Sequence, residues 1–98
     1  MSEVDPSAMV SENAWIGPGA VIREDVRIFP HVWIGANARI GKGTIIREGS
    51  YVAAGVVIGK NVRIGKWVII RPRATIEDGA TVRDGTIVRG RVAAGTVA

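Results

Sequence analysis

The chain of 98 residues contains a single histidine, His31, and no cysteine. Imidazole is the side chain that exchanges a proton near neutral pH, so His31 is the candidate general base for a reaction in which an amine or hydroxyl must lose a proton. It follows Pro30, which predicts a turn and an accessible side chain. Glu24, Asp25 and Glu48 are the carboxylates that could orient the ring. The competing interpretation is an exposed turn histidine with no catalytic role.

The single histidine and the absence of cysteine also restrict the metal sites that the chain can form. The absence of cysteine excludes a disulfide framework and a thiolate metal site, and one histidine excludes a site built from several histidines of one chain. No metal site within a single chain is therefore expected. Three copies of His31 meeting on a threefold axis would supply the nitrogen ligands of a zinc site.

Positive charge is concentrated in the later part of the chain. Residues 1–25 carry five acidic side chains and one arginine, whereas residues 26–98 carry twelve basic and four acidic side chains, within an overall net charge of +4. Guanidinium groups suit phosphate, which predicts a cofactor site formed by Arg71, Arg73, Arg83, Arg89 and Arg91. The alternative is a solvated surface that keeps a β-rich protein soluble. Nucleic acid is not an expected partner, because the arginines alternate with acids and no nucleic-acid motif occurs.

A six-residue period predicts the elements that position these residues. Every sixth residue from Val4 to Val88 is valine or isoleucine, and the residues two positions earlier, from Ser2 to Val92 and Ala98, are small or β-branched. Side chains two apart in a strand point the same way, so each such pair points inward from one short strand. Glycine, proline, asparagine and charged residues between the pairs are typical of turns. Leucine, which favours helices, is absent.

The pattern resembles the hexapeptide repeat of left-handed parallel β-helices over essentially the whole chain. The resemblance implies an all-β, single-stranded left-handed parallel β-helix with roughly eighteen residues per coil and about five coils. Residues 1–98 are then expected to form a single domain, about 25 Å tall at the usual strand spacing. The repeat runs without interruption, so neither a catalytic loop insertion nor a C-terminal helix is expected.

Folding the sequence by eighteen residues predicts three outer faces, one of them lined by a column of large apolar residues. The column contains Trp15, Trp33, Tyr51, Ile69 and Ile87. A second outward column lies beside it and contains Gly17, Gly35, Ala53, Arg71 and Arg89. Monomers rarely expose such a stripe, and aromatic residues are enriched where chains meet. We expect a homo-oligomer interface, and the family resemblance implies a homotrimer. A ladder that stabilises only its own chain and a platform for sugar rings are the alternatives.

The resemblance also implies a chemistry, because hexapeptide-repeat helices mostly belong to acyltransferases. Residues 27–34 are similar to part of the nucleotide-sugar N-acetyltransferase group, although Pro30 and Trp33 stand where that group has histidines and His31 where it has phenylalanine. The implied activity is acetyl transfer to a sugar amine or hydroxyl in a groove between subunits. Acetyl-CoA would be a co-substrate, with no cofactor bound covalently. The alternative is a non-catalytic trimeric β-helix scaffold, which the missing loop favours.

Two further expectations concern location and chain ends. The longest apolar run has four residues, from Trp67 to Ile70, too few to cross a bilayer. The acidic N-terminus lacks the layout of a signal peptide, so a cytoplasmic protein without a membrane partner is expected. The pattern stops at Ala98 without a cap, as expected of a fragment, of a minimal or idealised scaffold, or of a helix whose ends are covered in an assembly.

Overall fold

The computed structural model describes residues 2–98, which form sixteen strands of two residues each and no helix. Met1, the first residue of the predicted domain, lies outside the described residues. Three strands and the corners between them make one coil, and the chain winds through about five coils of a left-handed parallel β-solenoid. The predicted fold class is confirmed.

Three parallel sheets form the faces of a prism. Face A contains six strands: β1 (Glu3–Val4), β4 (Val21–Ile22), β7 (Arg39–Ile40), β10 (Val57–Ile58), β13 (Thr75–Ile76) and β16 (Arg91–Val92). Face B contains five: β2 (Met9–Val10), β5 (Arg27–Ile28), β8 (Ile45–Ile46), β11 (Arg63–Ile64) and β14 (Thr81–Val82). Face C also contains five: β3 (Trp15–Ile16), β6 (Trp33–Ile34), β9 (Tyr51–Val52), β12 (Ile69–Ile70) and β15 (Ile87–Val88).

The repeat produces the core directly. Each aliphatic residue lies above the one eighteen positions earlier, as in the file Ile22, Ile40 and Ile58 of face A. From β4 to β16 these aliphatic side chains are buried, and from Ala20 to Ala80 so are the small residues two positions before them. The backbone joins the coils as well, since Arg27 N–H donates to the Thr44 carbonyl 3.0 Å away. The result is a prism of 29 × 20 × 19 Å, slightly longer than predicted.

Most corners between faces turn at residues with left-handed backbone. Seven of these residues are glycines; six carry side chains: Asp25, His31, Asn37, Asn61, Trp67 and Arg73. Asparagine and aspartate tolerate positive φ better than other non-glycine residues, whereas a bulky residue there is an outlier. Trp67, at φ 57°, is the bulkiest of the six, and its ring lies over Gly49, where an added Cβ would collide with it.

The last coil departs from the predicted register. Ile76 pairs with Val92, and Thr81 with Val97, sixteen residues further along rather than eighteen. The prediction that the repeat is uninterrupted, with Val92 and Ala98 at its small inward positions, is therefore wrong. The corner between β15 and β16 is two residues short, and Gly90 takes the small position. The shift places Val92, 8% exposed, in the aliphatic file, where an eighteen-residue register would have placed Ala94. Valine buries more apolar surface there than alanine.

Candidate functional site

The predicted apolar stripe is continuous on face C. Trp15 pairs with Trp33, Trp33 with Tyr51, and Ile69 lies between Tyr51 and Ile87. The five side chains remain between 41% and 48% exposed. The indole rings of Trp15 and Trp33 stack with centroids 4.0 Å apart, and Tyr51 follows at 6.3 Å in a tilted arrangement. The predicted alignment of these five residues is confirmed.

Stacking determines which part of each ring is available. Because Trp15 and Trp33 cover each other's faces, they present mainly edges to solvent, which suits protein packing better than stacking on a sugar ring. The column beside the rings is buried at its start, at Gly17, Gly35 and Ala53. The prediction that these three residues face outward is wrong. A Cβ on Gly35 would approach the Ala53 carbonyl carbon within 2.6 Å, so the corner itself requires a very small residue.

His31 occupies the corner between faces B and C, as its position after Pro30 predicts. It is exposed and has a φ of 64°. Within residues 2–98 no hydrogen bond or ion pair joins its side chain to another group. Glu24 and Asp25 lie at a different corner, between faces A and B. Glu48 lies in the next coil, at the same corner between faces B and C as His31. Its carboxylate accepts a hydrogen bond from Arg47 Nε at 3.3 Å.

The ionisation of Glu48 reflects that local bonding. The hydrogen bond from its own backbone N–H is the main cause that lowers the pKa of Glu48, and the Arg47 side chain contributes less. The carboxylate is thus held in its charged form by neighbours other than His31. The geometry supplies an accessible imidazole at the edge of face C, without a second group that orients it.

The arginines predicted to bind a phosphate-bearing cofactor do not converge. Arg71 and Arg89 follow β12 and β15, so they are adjacent on face C, beside the upper end of the stripe. Arg73 lies at the corner between faces C and A, with a φ of 61°. Arg91 lies on face A, where its Nε donates to Glu77 Oε2 at 2.7 Å. Arg71 and Arg89 are the pair that the fold brings together.

Face B carries a second basic group, which the gradient of charge along the chain does not predict. Among residues 2–98, four arginines occupy outward positions there and none of the outward positions of this face is acidic: Arg27, Arg47, Arg63 and Arg83. The sequence does contain this information, because sorting its residues by face in rows of eighteen places only basic charges on the outward positions of face B. The predicted anion set instead followed the gradient of charge along the chain.

Nowhere in residues 2–98 do three or more histidine, aspartate or glutamate side chains lie close enough together to hold a metal ion. The same residues form no helix of the length and apolarity that a membrane span needs.

The fold and its repeat define a hexapeptide-repeat left-handed β-helix. Residues 2–95 match the family described as the GMPPB C-terminal domain, and the chain belongs to that family. No curated protein sequence matches it.

Solved structures with the same fold include two acetyltransferases. The acetyltransferase domain of PglB from Neisseria gonorrhoeae is 19% identical over 99% of this chain and 53% of its own, with a TM-score of 0.60. GDP-perosamine N-acetyltransferase from Caulobacter crescentus, solved with CoA and GDP-perosamine, is 23% identical over 100% of this chain and 52% of its own, with a TM-score of 0.55. The chain thus spans about half the length of these enzymes. The predicted resemblance to hexapeptide-repeat acetyltransferases is confirmed at the level of fold.

A third structure corresponds to this chain over nearly its whole length. The CcmM N-terminal domain, solved in complex with CcmN, is 22% identical over 100% of this chain and 94% of its own, with a TM-score of 0.67. At these identities the likeness concerns the fold alone, and the fold is shared by enzymes and by a domain that binds another protein.

Proposed function

We propose that the chain is a non-catalytic assembly module whose face C joins three copies into a homotrimer. The observation that carries the proposal is the exposed column from Trp15 to Ile87, five rungs long and uninterrupted by a charged side chain. At the usual spacing of strands the column extends about 19 Å along the solenoid. Aromatic side chains with half their surface free are the residues that contribute most where chains meet.

The form of the stripe supports a threefold arrangement. It is one side chain wide and runs parallel to the solenoid axis, so three copies can bring their stripes together along a common axis. The buried column of Gly17, Gly35 and Ala53 leaves one flank of the rings free for a neighbouring copy. The resemblance to the hexapeptide-repeat family implies the same symmetry.

The test is the mass of the particle in solution, measured by light scattering after size-exclusion chromatography. We expect three times the chain mass of 10.4 kDa for the wild type. Trp33→Lys should give a monomer, because it places a charge at the centre of the stripe, where burial of an unpaired ammonium is costly.

A matched control is available in Trp67, which is 65% exposed and lies at a corner rather than on face C. Trp67→Asn removes an equally large aromatic residue and suits positive φ, so the particle mass should stay that of the wild type. A monomeric wild-type protein, or a trimer that survives Trp33→Lys, would reject the proposal. A stable dimer would reject the threefold symmetry.

Acyl transfer is the second candidate function, favoured by the adjacent pair Arg71 and Arg89 beside the stripe. Within the described residues neither guanidinium is paired with a carboxylate, and His31 lies on the corner that leads into face C. In a trimer, this corner would border the groove between two copies. In the proposed reaction His31 takes the proton of a sugar amine or hydroxyl, which attacks the acetyl carbonyl of acetyl-CoA. The carbon–sulfur bond breaks, and CoA leaves as its thiol after receiving that proton.

Calorimetric titration with acetyl-CoA separates the two candidates. Saturable binding that is lost in Arg71→Ala/Arg89→Ala, together with acetyl transfer that is lost in His31→Asn, would support the enzyme. Asparagine tolerates the φ of this corner, so His31→Asn should fold normally. An intact trimer that releases no heat at millimolar acetyl-CoA would leave the assembly module as the function.

A further inference from the structure

We propose that face B carries a binding site for a diphosphate group, formed by Arg47, Arg63 and Arg83 around Gly65. The three guanidinium-bearing side chains border an open groove of about 560 Å³ whose lining also includes Ile45 and Thr81. The site is separate from the pair Arg71 and Arg89 on face C, and it does not depend on the assembly proposed above.

The register of three successive strands creates the arrangement. In one column Arg63 lies between Ile45 and Thr81. In the neighbouring column, one position past each strand, Gly65 lies between Arg47 and Arg83. These two arginines are therefore separated by two rungs, about 10 Å, and the glycine between them contributes no side chain of its own, although Asp84 Oδ1 lies over it. Arg63 stands beside Gly65, so three long cationic side chains surround this glycine and border the open groove.

The existing contacts leave most of this positive charge unpaired. The Arg63 side chain makes no hydrogen bond or ion pair with any other described residue. Arg83 donates a long hydrogen bond of 3.4 Å to the Ala98 carbonyl. Arg47 contacts Glu48 through Nε at 3.3 Å and lies 4.8 Å from the centre of the Phe29 ring. The terminal guanidinium nitrogens of all three remain available.

Two carboxylates and one further cation border the site. Asp84 Oδ1 lies over Gly65 and accepts a hydrogen bond from Lys66 N–H at 2.8 Å. Glu48 is bound to Arg47 as described. The three arginines and the Lys66 ammonium outnumber these two acids, so the groove keeps a positive balance that attracts an anion.

A diphosphate suits this geometry better than a single small anion does. Each guanidinium offers a planar pair of donors that matches phosphate oxygens, and three of them around one gap can engage two linked phosphate groups at once. A monovalent anion would leave at least one guanidinium unpaired. A nucleic acid strand would need a longer basic track with aromatic stacking partners, whereas the lower end of face B presents Met9 and the Arg47-covered Phe29.

Isothermal titration with sodium pyrophosphate at constant ionic strength, without divalent cations, tests the site. We expect saturable binding of one ligand per chain. Arg63→Gln, which keeps the polar side chain and removes the charge, should weaken it about tenfold or more, as loss of a charge-assisted hydrogen bond implies. The matched control is Arg39→Gln, an exposed arginine in the equivalent column of face A, which should leave the affinity unchanged.

Further ligands distinguish the source of the diphosphate. ADP binding as tightly as pyrophosphate would identify an organic diphosphate whose remaining part projects from the groove, and preference for pyrophosphate would identify the free ion. Equal weakening by Arg63→Gln and Arg39→Gln, equal affinity for sulfate, or tighter binding of a single-stranded oligonucleotide would overturn the proposal. The absence of measurable binding from a folded protein would overturn it as well.

Discussion

At the scale of single residues, short polar side chains form hydrogen bonds that hold a corner in shape and join it to the corner of the next coil. Asp5 provides the plainest case, because its carboxylate accepts hydrogen bonds from Ser7 N–H at 2.9 Å and Ser7 Oγ–H at 2.7 Å. Ser7 Oγ in turn accepts from Asp25 N–H, in the next coil, at 2.9 Å. A surface aspartate thus fixes the first corner and, through one serine, connects it to the second coil.

This chain of bonds predicts a pH dependence of stability. The hydrogen bond from Ser7 N–H, followed by that from the Ser7 hydroxyl, lowers the pKa of Asp5 below its usual value of 3.8. A carboxyl with a lowered pKa stabilises the fold above its unfolded pKa, and this contribution is lost as the pH falls through the lowered, folded pKa. Asp5→Asn should therefore melt below the wild type at pH 6, and the difference should shrink as the pH falls below 3.8.

The measurement is the melting temperature by circular dichroism across that pH range. Glu3→Gln, a neutral substitution at an exposed position on the same face, is the control for overall charge and should show no comparable effect. A difference between Asp5→Asn and the wild type that stays constant with pH would contradict this account.

At the scale of elements, each strand is too short to be stable alone, and its position is fixed by what the neighbouring coils provide. Thr44 and Ser50 occupy small inward positions and are fully buried. The Thr44 hydroxyl donates to the Gly59 carbonyl at 2.7 Å and accepts from Val62 N–H at 3.2 Å. Ser50 repeats this arrangement with Gly65 and Val68. In both cases a core hydroxyl stabilises the corner of the next coil.

Replacing Thr44 by valine should destabilise the solenoid although it keeps the shape of the side chain. The Gly59 carbonyl and the Val62 N–H would each lose a partner in a buried position, which costs about 1–3 kcal/mol per unsatisfied group. Thr44→Ser keeps the hydroxyl and should cost less. Urea denaturation measures both variants; a Thr44→Val protein as stable as Thr44→Ser would show that the hydroxyl has no stabilising role.

The sequence predicts the elements well because one physical constraint, inward packing of side chains two apart, recurs at every strand. The register of the last coil was not predictable from the period alone, since it depends on whether Val92 or Ala94 fills the aliphatic file. The burial of Ala53 was missed for a similar reason, because the closeness of successive corners is a property of stacked coils. The position of Arg91 beside Glu77 follows from that shifted register.

The candidate site was predictable only in part. The alignment of Trp15 with Ile87 follows from the period and the number of residues in a coil, and it is confirmed. What the stripe contacts depends on a second molecule, about which one sequence carries no information. The role of His31 is undetermined for a related reason, because an isolated imidazole acquires a function only from groups brought to it.

At the scale of the whole molecule, every coil touches only the coils before and after it. In such repeat folds stability is close to a sum of coil terms and nearest-neighbour terms. A side chain in a central coil therefore contacts the coils on both sides of it, whereas a side chain in the first or last coil contacts only one neighbouring coil. Ile46 is fully buried, whereas Val4, at the same position of the six-residue repeat, is 42% exposed.

Equivalent substitutions should therefore lower the free energy of unfolding by different amounts at different positions along the solenoid axis. Ile46→Ala should lower the free energy of unfolding by about 2–5 kcal/mol, since it leaves a cavity between two coils. Val4→Ala should cost much less, because its side chain is half in solvent already. Chemical denaturation compares the two variants, with Ile46→Val as an intermediate control. Equal losses for Ile46→Ala and Val4→Ala would contradict the nearest-neighbour description.

The six-residue period and the three-sided prism give the interior and the exterior of the molecule different repeat lengths. The interior repeats with every strand, whereas the exterior repeats only with every full turn. An insertion or deletion of six residues would leave the interior in phase but rotate everything beyond it by a third of a turn. Ile69 and Ile87 would then leave the column of Trp15, and Arg63 and Arg83 would part from Arg47. Among insertions or deletions of whole strands, only those of a whole coil preserve both phases, so the surface patterns constrain the number of strands between them more strictly than the core does.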